Sequence, residues 1–416
     1  MEEVVRLREA NRKQLNLEPV DLDSRLAGDH PARAIWRVLE AMDLSRFQAA
    51  IKAREGVAGR DATDPKILLA LWLYALSDGV ASAREVERLS SAHDAYKWIC
   101  GGVSVNHHLL SDFRVAHGAA LDELMSQVLA VLMHKKLVRL HRVAQDGTRV
   151  RASAGAASFR RKPRLEQCLK QARAHLQALQ RELEHLDPER GARAQAAQAR
   201  AAREYQQRVE QALAELPKVA AHKNNRQEAA RVSSTDPQAR VMKMGDGGFR
   251  PAYNVQFATD TESRIIVGVG VSNAGTDTAQ LAPMLEQIER RTGKLPEQAL
   301  VDGGFANFAS LERVAADGVA VFAPLRSKNK TYKLDPAQPR STDSPLIAEY
   351  RARMASPQGQ QIYRERAATA ETVNADLKTW RGLNHLLVRG THKVLLAATW
   401  SALAYNLMRA IRMGWL

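Results

Sequence analysis

The stretch AYNVQFATDTESRIIVGVGVS, residues 252–272, decides the fold. It holds two runs rich in β-branched and aromatic residues, and the Thr-Glu-Ser step between them reads as a turn. Two strands joined this way are adjacent and antiparallel. Downstream, TDTAQLAPMLEQIERRTG reads as an amphipathic helix with Thr276 as its cap and Gly293 as its stop. QALVDGGF then reads as a short buried strand ending at Asp302, FASLERVAADG as a helix, and VAVFAP as another strand. Upstream, RLHRVAQ (139–145) reads as a strand that runs straight into Asp146. Antiparallel strands followed by strand–helix–strand units make an α/β sheet. Asp146 and Asp302 are each expected where a strand stops.

The chain has 416 residues, enough for two or three domains and a sizeable core. Its net charge of +15 points to a polyanionic partner, with nucleic acid first. Aromatics are scarce, which disfavours single-strand binding by stacked bases. Cys100 and Cys168 are the only cysteines, so neither a disulfide framework nor a cysteine zinc site is suggested, and a reducing cytoplasm fits. The start, MEEVVRLREANRK, lacks the apolar stretch of a signal peptide. VLLAATWSALAYNLMRAIRM is broken by Thr, Ser, Asn and Arg, and reads as a buried closing helix rather than a membrane span.

Residues 1–135 read as a helical N-terminal domain. Asp64 is a plausible N-cap before Pro65, and the helix it opens is apolar nearly all round, hence central. Ser82 and Glu85 stand at capping-box spacing. Short helices on either side of Gly101-Gly102 resemble a helix-turn-helix, which suggests DNA contact. Between Asp146 and residue 252 the pattern changes. Leu165, Leu169, Ala172, Leu176, Leu179, Leu183 and Leu186 fall at alternating steps of four and three, a heptad seam. After DPERG a second helix carries Tyr205, Val209, Leu213 and Leu216 and is expected to stop at Pro217. This is a helical hairpin, placed as an insertion over residues 160–232 within a core spanning 136–416.

Two aspartates are too few to hold two divalent ions for phosphoryl transfer, and a third carboxylate is needed. YRERAATAETVNADLKTWRGL, residues 363–383, offers one. At about 100° per residue, Arg364, Glu371 and Lys378 share one helix face. Val373, Leu377 and Trp380 form the opposite, core-facing stripe. Glu365 falls off the polar face, and Asp376 lacks basic flanks. Basic residues above and below Glu371 suit a metal-bound phosphate. Taken alone, the helix fits a solvated, salt-bridged face more simply.

The segments AQDGTRVRASAG, STDPQARVMKM, AYNVQFATD, LVDGGFAN and YRERAATAETVNADLK come in this order and on these elements. Together they closely resemble bacterial insertion-sequence transposases of the DDE class. The last segment looks like that group's Tyr-Arg-Glu-Lys signature, here Tyr363, Arg366, Glu371 and Lys378. The helical N-terminal region also looks like the domain these enzymes carry before their catalytic core.

The resemblance implies an RNase H-like core with Asp146, Asp302 and Glu371 as catalytic metal ligands, and Tyr363, Arg366 and Lys378 on DNA phosphates. It implies magnesium (two ions, with manganese able to substitute) and double-stranded DNA partners, both element ends and target. It further implies a homodimer assembled on DNA, no membrane, and a bacterial, nucleoid-associated, cytoplasmic location. Four residues separate Arg366 from Glu371, where some relatives have three. The rival readings are a metal-dependent nuclease that cuts without joining and an inactive DNA-binding regulator derived from a transposase. TGKLP lacks the flanking residues of a phosphate loop, and His107-His108 reads as helix surface.

Overall fold

The computed structural model describes residues 21–49, 51–53, 60–184, 192–222, 227–325 and 335–415. Within them eight strands follow in order: β1 (Arg142–Arg151), β2 (Phe159–Arg160), β3 (Val232–Ser233), β4 (Arg240–Lys243), β5 (Phe249–Asp260), β6 (Ile266–Ser272), β7 (Gln298–Leu300) and β8 (Ala320–Phe322). Six form one mixed sheet in the order β4-β5-β1-β7-β8, with β6 also on β5. β4, β5, β6 and β1 pair antiparallel; β1, β7 and β8 are parallel. The β5–β6 turn is fixed by Asp260, whose Oδ1 accepts from the backbone and hydroxyl of Ser263 at 2.8 and 2.7 Å, an Asx-type closure.

Among the described residues seven helices precede the sheet: α1 (Pro31–Glu40), α2 (Ser45–Gln48), α3 (Pro65–Ser77), α4 (Ala83–Ala92), α5 (Asp94–Cys100), α6 (His107–Ala116) and α7 (Gly118–His134). Asp64 caps α3 through Lys66 N, as its sequence suggests, and α3 is buried from Ile67 to Leu76. Ser82 is the N-cap of α4 without a side-chain bond, and Glu85 pairs with Arg88 instead. α8 (Lys162–Glu184) and α9 (Ala192–Ala221) form the hairpin, with β2 and β3 paired at its base. Its seam is a small core of its own: Leu165, Cys168, Val209, Ala212 and Leu216 with Ala230 and Val232. Leu186 and the DPERG break lie outside the described residues. Pro217 does not end α9 as expected. The helix runs on to Ala221 because Val219 and Ala220 still pack on the seam, at the cost of the backbone bond proline cannot donate.

The remaining helices are α10 (Leu281–Thr292), α11 (Phe308–Ala316), α12 (Pro345–Ala355), α13 (Pro357–Arg366), a π turn at Ala367–Glu371, α14 (Thr372–Trp380) and α15 (Thr391–Arg412). α15 has the length and apolarity of a membrane span, and 78% of that stretch is buried against α3, α7 and β6. It is the closing helix expected from the sequence. Asn406 on α15 is fully buried; its Oδ1 accepts from Ile266 N and its Nδ2 donates to Ile266 O, which satisfies the free edge of β6. The N-terminal helices and the sheet share one continuous hydrophobic core.

Candidate active site

Asp146 lies in the middle of β1, opposite Phe257, and not at a strand end as the sequence suggested. The strand continues because Gly147 to Arg151 keep pairing with β5 as far as Ala252. Asp302 does stand just beyond a strand, two residues past β7, which is the parallel neighbour of β1. Its Oδ1 accepts from Gly304 N at 2.6 Å.

The Asp146 carboxylate accepts from Gly147 N at 2.9 Å on Oδ1 and from Asn374 Nδ2 at 3.1 Å on Oδ2. Burial pushes its pKa up to about 6; Arg366 and the Gly147 N–H pull it down, while Asp302 and Asp277 push it further up. Three carboxylates therefore share one field. Arg366 Nη1 stands 3.7 Å from Asp146 Oδ1, and its Nη2 stands 3.6 Å from Glu371 Oε1. Glu371 is otherwise open, with its side chain 63% exposed.

Helix-wheel reasoning placed Arg364 beside Glu371. The structure places Arg366 there, because the π turn intervenes. An α-helix sets residues five apart about 140° from one another, whereas an i→i+5 turn returns them to one side. The fourth residue between Arg366 and Glu371 is thus absorbed where the helix widens. Within the regular α14, Val373 and Leu377 are buried as expected, but Trp380, the last residue of the helix, is 65% exposed. Tyr363 packs against Arg366, whose guanidinium lies 6.0 Å from the ring centre. Burial raises the Tyr363 pKa and Arg366 opposes it, with Asp302 and Asp146 both within electrostatic reach. Lys378 lies two turns along α14 from Glu371 and is partly exposed. The competing acids are engaged elsewhere: Glu365 pairs with Arg142 at 2.5 Å and Asp376 with Arg381 at 3.0 Å.

Two side chains at the site escaped the sequence reading. Asn374 falls on the buried side of α14, where an apolar residue is the simpler expectation, and its polarity was the signal. Asp277 was taken as part of a helix capped by Thr276. α10 instead begins at Leu281, because Asn254 Nδ2 and Gln256 Nε2 hold Asp277 Oδ1 at 2.6 and 2.5 Å outside the helix. The alternation of Asn254 and Gln256 along β5 was visible without its purpose.

Two family models match the chain: Transposase DDE domain over residues 218–407, and Transposase domain (DUF772) over residues 20–116. The chain belongs to the insertion-sequence transposases of the DDE class. The first match contains Asp302 and Glu371, while Asp146 lies upstream of it and takes its place in the site from β1. No curated protein and no solved structure matches the chain.

Among the described residues of this transposase, no three His, Cys, Asp or Glu side chains converge closely enough to hold an ion unaided. Glu371 approaches Asp146 through Arg366 only. The donor set nevertheless fits a hard divalent cation: the groups are oxygens, the acids crowd one another, and the buried Asn374 Oδ1 has no partner.

Proposed function

We propose that this transposase cuts the DNA ends of its own element and joins them to target DNA by metal-dependent phosphoryl transfer. Asp146, Asp302 and Glu371 are the metal-holding acids of this reading. The observation that carries it is the cluster of Arg366, Asp146 and Glu371 beside Asp302, at the centre of a sheet in a chain that belongs to the DDE family. The strand order, three antiparallel strands continued by two parallel ones with the first acid on the central strand, supports an RNase H-like core.

Bound Mg2+, or Mn2+ in its place, supplies an activated water or 3′-hydroxyl and a Lewis acid at the leaving oxygen. The protein's own groups do the rest. Asp146 gives up the proton that burial favours, helped by the Arg366 guanidinium. Asn374 holds the ionised carboxylate in orientation. Arg366, which stands between Asp146 and Glu371, would turn to a phosphate oxygen if those two acids held a cation. Tyr363 offers a hydroxyl donor beside it, and Lys378 a second charge further along the DNA backbone. The α5–α6 unit, which turns at Gly101-Gly102, is the proposed contact to double-stranded DNA, with two copies paired on the ends.

A strand-transfer assay with an end duplex and a supercoiled target tests the reading. Joined products with Mg2+ support it; cut but unjoined ends would favour a nuclease, and bound but uncut ends a DNA-binding regulator.

A further inference from the structure

We propose that Asp277 is a fourth carboxylate of the metal centre, acting beside Asp302. The inference rests on the metal-dependent reading above and adds a ligand to it. Asp277 comes from the loop between β6 and α10, and its side chain is 9% exposed. Oδ1 is fully engaged by the two amides of β5, Asn254 and Gln256, both completely buried. Oδ2 is left with Arg149 Nη2 at 3.5 Å, the outer limit of a hydrogen bond, while the same nitrogen donates at 2.9 Å to Gly275 O.

Two glycines show how closely this carboxylate enters the site. A Cβ at Gly147, the residue after Asp146, would fall within 3.0 Å of Gln256 Nε2, Asp277 Oδ1 and Asn254 Oδ1. A Cβ at Gly304 would lie 2.7 Å from Asp302 Oδ1 and 3.5 Å from Asp277 Oδ2. The Asp277 and Asp302 carboxylates therefore flank one methyl-sized gap. Thr278 Oγ1 donates to Gly304 O at 3.3 Å and ties the two loops together.

A buried acid that served only packing would be expected to have both oxygens satisfied at close range. Here one oxygen is over-fixed and the other loosely held. Asn254 Oδ1, fully buried and aimed into the Gly147 gap, has no partner at all. Amides that orient one carboxylate oxygen and leave the other for a cation are the usual support of a metal ligand. The ligand class is a hard divalent cation bound through oxygen, and Arg149 is the group it displaces from Oδ2.

The test is Mn2+ binding to the full chain, read from the loss of the free-ion paramagnetic resonance signal, with thermal unfolding in EDTA as the fold control. Asp277→Asn keeps Oδ1 and both amide bonds. It is expected to weaken Mn2+ binding at least about tenfold with little change in unfolding in EDTA. Arg149→Gln removes the competing cation and is expected to tighten Mn2+ binding, which keeps the inference testable should Asp277→Asn fold poorly. Wild-type affinity in Asp277→Asn, with binding lost in Asp302→Asn, would overturn the inference and leave the proposed function standing. Unchanged affinity in Arg149→Gln would also count against it. No Mn2+ binding by the wild-type chain would overturn both.

Discussion

Asn374 donates from Nδ2 to Asp146 Oδ2 at 3.1 Å, and so joins the helix that carries Glu371 to the central strand of the sheet. The bond sets the Asp146 rotamer from the side opposite Gly147 N. Asn374→Ala is expected to lower the single-turnover cleavage rate about 10–100-fold, the usual cost of losing an orienting partner of a metal ligand. DNA binding measured by gel shift should be unchanged. Equal losses of binding and cleavage would mean that Asn374 holds up α14 rather than Asp146.

The π turn makes a length-sensitive expectation. Deleting Ala368 leaves Arg366 and Glu371 four apart, which an ordinary α-helix places on one face. Cleavage should survive this deletion. Inserting one alanine after Ala368 turns Arg366 away from the acids and should abolish cleavage. If the deletion is as damaging as the insertion, the π turn has some other purpose.

Burial raises the Asp146 pKa to about 6. The folded chain therefore holds this proton more tightly than the unfolded one, and ionisation costs stability as pH rises from the ordinary carboxylate range through about 6. Above that window the cost is complete; below it the cost is absent. Asp146→Asn should thus stabilise the metal-free protein at pH 8, by about 3 kcal/mol, and most of the gain should be gone near pH 4. Urea unfolding at the two pH values checks the sign. Arg366→Gln removes the strongest downward pull on the Asp146 pKa, and the window over which ionisation costs stability should extend to higher pH in the same urea series.

The hairpin packs on its own small core, so removing it exposes little of the main one. Replacing residues 163–217 by a short Gly-Ser link should leave a folded chain that binds Mn2+. It should fail to pair two DNA ends, because the arm packs on its own core and offers two long helices of mixed charge to a second partner. Native mass spectrometry of the deletion with end duplexes decides this; normal two-end complexes would reduce the arm to a spacer.

Much of this arrangement is legible in the sequence, because strands and amphipathic helices announce themselves by period. β5, β6, β7 and the hairpin seam follow from residue pattern alone, as do the positions of Asp302 and α15. What escapes is whatever tertiary contact decides. Asp146 reads as the end of its strand in the sequence, whereas β5 pairs on with β1 through Arg151. Thr276 looks like a cap until Asn254 and Gln256 are seen to hold Asp277 outside the helix. Arg366 has the wrong spacing from Glu371 in a regular helix, and the π turn that corrects it leaves no periodic trace.

The most direct test is cleavage of a labelled element-end duplex by the full chain, comparing Asp146→Asn, Asp302→Asn, Glu371→Gln and Glu365→Gln in Mg2+ and in EDTA. The expected result is cleavage by wild type and Glu365→Gln in Mg2+ only, and none by the other three, although all five proteins bind the duplex. Cleavage in EDTA, or cleavage by Glu371→Gln with loss in Glu365→Gln, would contradict the assignment of Asp146, Asp302 and Glu371 as the metal-holding acids.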